Sequence, residues 1–271
     1  MKDEIEMTEL QKRKRIEVGN TVIGGERPLV CLPLVAKLKG QLLQDARELT
    51  ALEPDLLEWR IDAYGDVGNI PKCLDDLKEL RRITGAVPLI FTCRTDEEGG
   101  LQKIDRKKRL ELFEAAAVSG NVDLIDVELC NGKDFLEVVK KTAGANHVFL
   151  IFSYHNFKDT PSESFMYSKL LECQDAGADI CKLAVMPNDS GDVLSLLSVT
   201  NRARNEGMNI PVVTMAMGPL GVVSRLAGGL FGSDITFAAG RQASAPGQLS
   251  IEDLRAGMKI LFPGTQSGSN P

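Results

Sequence analysis

From Pro28 onward this chain repeats one unit eight times: a short apolar run bounded by turn residues, then a longer amphipathic segment. The strand-like runs are Leu29 to Val35, Leu56 to Asp62, Pro88 to Arg94, Val122 to Leu129, Val148 to His155, Ile180 to Met186, Pro211 to Met217 and Ile235 to Ala239. Between them apolar residues recur at three- and four-residue steps: Leu42, Leu43, Ala46, Leu49 and Leu52, then Leu110, Phe113 and Ala117, then Val193, Leu196 and Leu197. That spacing gathers them on one face of a helix. Near-unbroken apolar strands belong to a sheet covered on both faces, which alternating helices supply. Eight strand–helix units in roughly 250 residues is the arithmetic of one α/β domain, a (β/α)8 barrel. A doubly wound sheet is the alternative, but it usually carries a Gly-rich phosphate loop after an early strand. None follows Leu29 to Val35, and Gly218-Pro-Leu-Gly221 reads as a turn.

The barrel is expected over residues 15–262. Residues 1–14 read as a poorly ordered polar lead that contains most of the basic run Lys12-Arg13-Lys14-Arg15, and residues 263–271 as a flexible Ser/Gly-rich tail. Arg15 to Gly25 holds two short β-like pieces around Gly19-Asn20, a hairpin signal expected to close the N-terminal end of the barrel. A net charge of −6 argues against a nucleic-acid partner. No apolar stretch approaches the length of a membrane span, and the start lacks a signal-peptide core. Six cysteines without CxxC spacing suit a reducing cytoplasm better than a disulfide framework. Two histidines, His147 and His155, with no clustered ligand motif give no metal site.

Several strands carry charge where a barrel interior should be apolar. Alternate strand residues share a face, so Glu58, Arg60 and Asp62 point one way while Trp59 and Ile61 point the other. Since the apolar face packs on helices, the charged face looks inward. Thr92 with Arg94, Asp126 with Glu128, and Ser153 with His155 pair in the same manner, and Lys182 shares a face with Ile180 and Ala184. Each polar set lies toward the C-terminal half of its strand, where barrel active sites are assembled. Buried charges cost stability, so a convergence from five strands points to a pocket.

Lys182 is the centre of that reading. Among Ile180, Cys181, Leu183, Ala184 and Val185 it has no obvious partner. Burying an unpaired ammonium is expensive, and losing the proton both relieves the cost and makes a nucleophile for carbonyls. Taken singly, such a lysine could equally snorkel or pair with an acid. An imine at Lys182 would acidify the neighbouring carbon, and His155 could move a proton there. Glu98, in the loop after Arg94, is the candidate to orient the imidazole. Arg60, Arg94 and Arg225 suit an anionic, hydroxylated substrate, although Arg225 could also be an ordinary surface-helix arginine.

These residues resemble type I 3-dehydroquinate dehydratase, the imine-forming dehydratase of the shikimate pathway. The matching pieces are Leu57-Glu-Trp-Arg-Ile-Asp62, Phe91-Thr-Cys-Arg-Thr-Asp-Glu-Glu-Gly-Gly100, Ser153-Tyr-His-Asn-Phe157, Ala178-Asp-Ile-Cys-Lys-Leu-Ala184 and Ser224-Arg-Leu-Ala-Gly228 running on to Gln248. The resemblance covers about residues 16 to 262. It implies syn elimination of water from 3-dehydroquinate to give 3-dehydroshikimate. Lys182 would form the Schiff base, His155 would act as general acid and base, and Glu98 would hold His155. Arg225 would clamp the substrate carboxylate, and Glu58, Arg60 and Arg94 would bind ring hydroxyls. Ser244 and Gln248 would come from a loop, Ala243-Ser-Ala-Pro-Gly-Gln248, that closes over the substrate. Asp126 would have a supporting role near Lys182. The resemblance also implies a cytoplasmic homodimer with no cofactor and no metal. A class I aldolase and a non-catalytic sugar-acid binder are the competing readings. The former would want a phosphate pocket near the last two strands, and the latter would need neither nucleophile nor proton shuttle.

Overall fold

The computed structural model describes residues 14–240 and 245–264. Residues 1–13 of the expected lead, 265–271 of the expected tail, and Ala243 and Ser244 of the expected closing loop lie outside the described residues. A hairpin of β1 (Ile16–Val18) and β2 (Thr21–Ile23) comes first. The eight apolar runs then become β3 (Leu29–Leu34), β4 (Leu56–Arg60), β5 (Leu89–Thr92), β6 (Leu124–Glu128), β7 (Phe149–Asn156), β8 (Ile180–Val185), β9 (Val212–Ala216) and β10 (Ile235–Phe237). Each is followed by a helix: α1 (Lys39–Thr50), α2 (Ile70–Thr84), α3 (Arg106–Val118), α4 (Lys133–Ala145), α5 (Glu163–Asp175), α6 (Ser190–Glu206), α7 (Val222–Ala227) and α8 (Ile251–Leu261). The eight strands pair in parallel in the order β10-β3-β4-β5-β6-β7-β8-β9. This is the expected (β/α)8 barrel.

Period-2 alternation splits the core into two shells. Trp59, Ile61, Phe91, Val127, Phe152 and Leu183 face outward and pack on the helices. Leu29, Leu56, Ile90, Leu124, Ile151, Ile180, Val213 and Ile235 face inward at the N-terminal end of the barrel. The hairpin residues Ile16, Val18 and Ile23 belong to that inner shell, so the hairpin plugs the floor. Its turn needs a left-handed first residue, and Gly19 supplies it with φ of +58°.

A repeated device, not anticipated from the sequence, sets the strand register. Asp55, Asp123, Asp179 and Asp234 each precede alternate strands, β4, β6, β8 and β10. Each donates its backbone N–H to a residue at the start of the preceding strand, the carbonyls of Val30, Leu89, Leu150 and Val212 respectively. Each carboxylate then accepts the N–H of that same residue, at 2.8, 2.8, 3.0 and 2.8 Å. A cation secures every one: Arg27, Arg81, Lys14 and Arg204. At the β9–β10 seam, where no strand ladder forms, Asp234 bonds Val212 and the Ser233 hydroxyl accepts from the Thr214 N–H at 3.1 Å. The helix α8 is capped by Ser250, whose Oγ accepts the Asp253 N–H at 3.1 Å and donates to Asp253 Oδ2 at 2.9 Å.

Candidate active site

The charged strand ends do meet. Glu58, Arg60, Arg94, His155 and Lys182 line one cleft at the C-terminal mouth, joined by Glu98 from the β5–α3 loop and Gln248 from the β10–α8 loop. Counting the part open to solvent, the cleft holds about 440 Å³, within the size range of small-molecule sites. Met215, Met217 and Phe237 form an apolar wall opposite the charges, which sequence reasoning did not pick out. Their signal was present, because all three point inward on the last two strands above the floor residues Val213 and Ile235.

Lys182 is only 5% exposed, but it is not without a partner. Its ammonium donates to Asp126 Oδ2 at 2.8 Å, lies 3.8 Å from Glu58 Oε1, and sits 4.5 Å from the centre of the Phe237 ring. The expectation that Lys182 lacks a partner is therefore corrected. Lys182 looks partnerless along β8, and its acid comes from β6, two strands away. Asp126, expected in a supporting role near Lys182, lies directly against its amine. Its Oδ2 also accepts from Arg94 at 2.9 Å, and its Oδ1 takes the Ser153 hydroxyl at 2.6 Å. Burial alone would raise its pKa, but Arg94 and Lys182 outweigh that and hold it well below the ordinary carboxylate range.

Arg94 organises the floor of the site. One nitrogen donates to Asp126, and the other to Glu128 Oε1 and Ser153 Oγ, both at 2.8 Å. Arg60 is claimed by Asp62, which accepts from it through both oxygens at 2.9 and 2.8 Å. Glu58 takes the Thr92 hydroxyl at 2.8 Å. Every inward charge predicted from alternation thus has a defined partner, which is what a buried ionic cluster requires.

His155 and Glu98 form a pair. Glu98 Oε2 lies 3.0 Å from His155 Nδ1 and accepts the His155 backbone N–H at 2.8 Å, so one oxygen fixes both ring and main chain. Among the described residues Nε2 has no protein partner and is left for the cleft. The approach depends on Gly99 and Gly100. A Cβ on Gly99, whose φ is +85°, would fall 2.3 Å from the Phe157 ring, and one on Gly100 would fall 2.3 Å from the Arg94 carbonyl oxygen. Burial pushes Glu98 up to about 7, with the nearby Glu128 charge adding to it and Arg94 opposing. Burial, then the cations Arg94 and Lys182, pushes His155 well below its ordinary value. Both causes favour the neutral imidazole, the form that can take a proton.

Arg225 is not a surface arginine. It is 2% exposed on the short helix α7, and its guanidinium meets, among the described residues, the Phe237 and Pro246 carbonyls, at 3.4 and 3.2 Å, and the Met215 sulfur at 3.7 Å. Among the described residues no carboxylate pairs with it, and its Nε has no partner at all. Burial lowers its pKa to about 10, which still leaves it charged. A buried, acid-free guanidinium beside the Met215–Phe237 wall is a ready anion site. Ser244, the remaining predicted contact, lies outside the described residues.

A parallel barrel with an amine and an imidazole converging at its C-terminal mouth is the build of a (β/α)8 enzyme acting on a small molecule. The profile of the family Type I 3-dehydroquinase matches residues 30–264. The 3-dehydroquinate dehydratase of Bacillus velezensis is 42% identical over 246 residues, covering 91% of this chain and 97% of that one. The corresponding protein of Geobacillus thermodenitrificans is 40% identical over 252 residues, 93% of this chain and 97% of its own. The crystal structure of the type I 3-dehydroquinate dehydratase of Clostridium difficile with covalently modified comenic acid superposes with a TM-score of 0.90 at 38% identity, covering 94% of this chain and all of that one. The chain belongs to the type I 3-dehydroquinase family, a family of hydro-lyases.

Proposed function

We propose that this enzyme removes water from 3-dehydroquinate to give 3-dehydroshikimate, a step of the shikimate pathway, through an imine at Lys182. The Lys182 amine, once deprotonated, adds to the substrate ketone, and the carbonyl oxygen leaves as water. The resulting iminium withdraws electrons from the adjacent carbon. His155 Nε2 takes a proton from that carbon, leaving an enamine, and returns it to the β-hydroxyl as the carbon–oxygen bond breaks. Water then hydrolyses the imine, releasing the unsaturated ketone and restoring the amine. The observation that carries this reading is Lys182 buried against Asp126 in the same cleft as the His155 imidazole braced by Glu98.

The other contacts follow from charge. Arg225 supplies the fork for the carboxylate, and Glu58, Arg60 and Arg94 reach the ring hydroxyls. Gln248 lines the site from the last loop, and the same reading assigns Ser244 to substrate binding. The apolar wall of Met215, Met217 and Phe237 suits the CH face of a six-membered ring. An aldolase reading loses ground because, among the described residues, the cation by the last two strands is a single guanidinium among apolar groups rather than a phosphate-sized nest. The same reading takes the enzyme to be a cytoplasmic homodimer, which sedimentation of the purified protein tests.

Borohydride added together with 3-dehydroquinate should attach the reduced ligand to the peptide that contains Lys182, detected by mass. Unmodified peptide after full exposure to both would refute the imine. Arg225→Leu tests the carboxylate clamp. Two charge-assisted hydrogen bonds are worth about 1.5–3 kcal/mol each, so kcat/KM should fall by about 100-fold or more. Because the change removes a buried charge that no acid balances, the variant should melt no lower than the parent. Near-normal kcat/KM in the Arg225→Leu enzyme would show that the anion binds elsewhere.

A further inference from the structure

Behind the cleft, a second layer of charge holds Glu128, the carboxylate that takes one Arg94 nitrogen. This carboxylate is fully buried, and its Oε1 is taken by Arg94 at 2.8 Å and by the Thr95 N–H at 3.2 Å. Its Oε2 has a separate set of partners. Asn131 donates to that oxygen at 3.0 Å and to the Glu128 carbonyl at 2.9 Å, and Arg109 approaches it at 3.5 Å while donating to Asn131 Oδ1 at 2.7 Å. Arg109 belongs to the first turns of α3, is 8% exposed, and lies 5.8 Å from the centre of the Phe135 ring.

That placement is costly on two counts. A cation near the start of a helix is opposed by the helix dipole, and a buried arginine loses its hydration. The only carboxylate it meets among the described residues is Glu128. We propose, building on the Lys182–His155 reading, that Arg109 is a positioning residue for the reaction. With Asn131 it grips the outer oxygen of Glu128 and balances its charge, so that Arg94 stays in place over Asp126 and the Glu98–His155 pair works against a fixed background.

Arg94 and Glu128 are the leading charges that act on Glu98, which also touches the Cys130 thiol and the His155 main chain and lies near Tyr154. Arg94, Lys182, Asp126 and Arg60 act on His155. Removing the Arg109 cation leaves the Glu128 charge balanced by Arg94 alone, and the added net negative charge favours protons on both members of the pair. The acid limb of kcat/KM, where the pair must shed a proton to act as base, should then move to higher pH.

Arg109→Gln keeps most of the bulk and a donor but not the charge, and Arg109→Lys keeps the charge. The Gln variant should shift the acid limb upward by roughly half a unit to one unit, the size of one charge lost from a buried network at an effective dielectric near 20. Its kcat should fall about 10-fold or more, and the Lys variant should return the limb to the wild-type position. Should Gln prove too unstable to assay, Asn131→Leu, which strips the same Glu128 oxygen of its short bond, should lower kcat with the limb nearly in place. Arg109→Gln and Arg109→Lys profiles that superpose on wild type, with only melting temperature changed, would overturn the proposal and leave Arg109 a packing residue. Borohydride trapping run in parallel separates the two readings. No adduct in the wild type sinks the imine, whereas a normal adduct with an unmoved profile sinks only the role of Arg109.

Discussion

Lys182→Met should lose turnover by about 10⁴-fold or more and give no borohydride adduct, yet remain folded. The activity loss follows from removing the nucleophile, since a covalent route has no substitute for the amine. Persistence of the fold is the more demanding half. Breaking a buried ion pair commonly costs about 3–5 kcal/mol when it strands the partner charge. Here the partner is not stranded, because Asp126 keeps Arg94 on Oδ2 and the Ser153 hydroxyl on Oδ1. Glu58 likewise keeps the Thr92 hydroxyl. Methionine fills the space of the lysine stem and packs well against the Phe237 ring. Thermal melting with activity assays decides the matter. Unfolding of the Lys182→Met protein would show the lysine to be structural, and turnover by it would show another nucleophile.

His155→Ala should separate imine formation from proton transfer. Steady-state turnover should fall by roughly 10⁴-fold, the upper end of what general acid–base catalysis contributes, while borohydride still traps some ligand on Lys182. The two steps draw on different groups, and that is why they can be split. Attack on the ketone needs the amine near Asp126, whereas the carbon acid needs the unpartnered Nε2 of a ring held through Nδ1 by Glu98. Retention of near-normal turnover would assign the proton shuttle to another residue. Complete loss of trapping together with turnover would make His155 necessary for the imine itself.

Alternation along single strands made most of the site legible before any coordinates. Glu58, Arg60, Arg94, His155 and Lys182 were each marked by a charge in a position that ought to be apolar, and all of them line the one cleft. The order of strands was equally open to reading, since β-α units joined by short right-handed crossovers leave few ways to arrange eight parallel strands. The aspartates at the strand bases were readable in principle, because Asp55, Asp123, Asp179 and Asp234 all stand before a Leu or Ile that opens a strand. Their meaning emerged only when each was seen bonding the start of the strand before it.

What the chain settled by itself was periodicity, and with it the fold and the inward face of each strand, because hydrophobic spacing acts over a few neighbouring residues. Partnership was decided only in three dimensions. Lys182 and Asp126 are 56 residues apart, and no local rule could say that the acid two strands over would claim the amine. The same holds for Arg225, a helix arginine by sequence, whose burial with no acid partner among the described residues comes with the wall of Met215 and Phe237 beside it. Electrostatic pairing depends on distance through space in a low-dielectric interior, and barrel closure is what sets those distances.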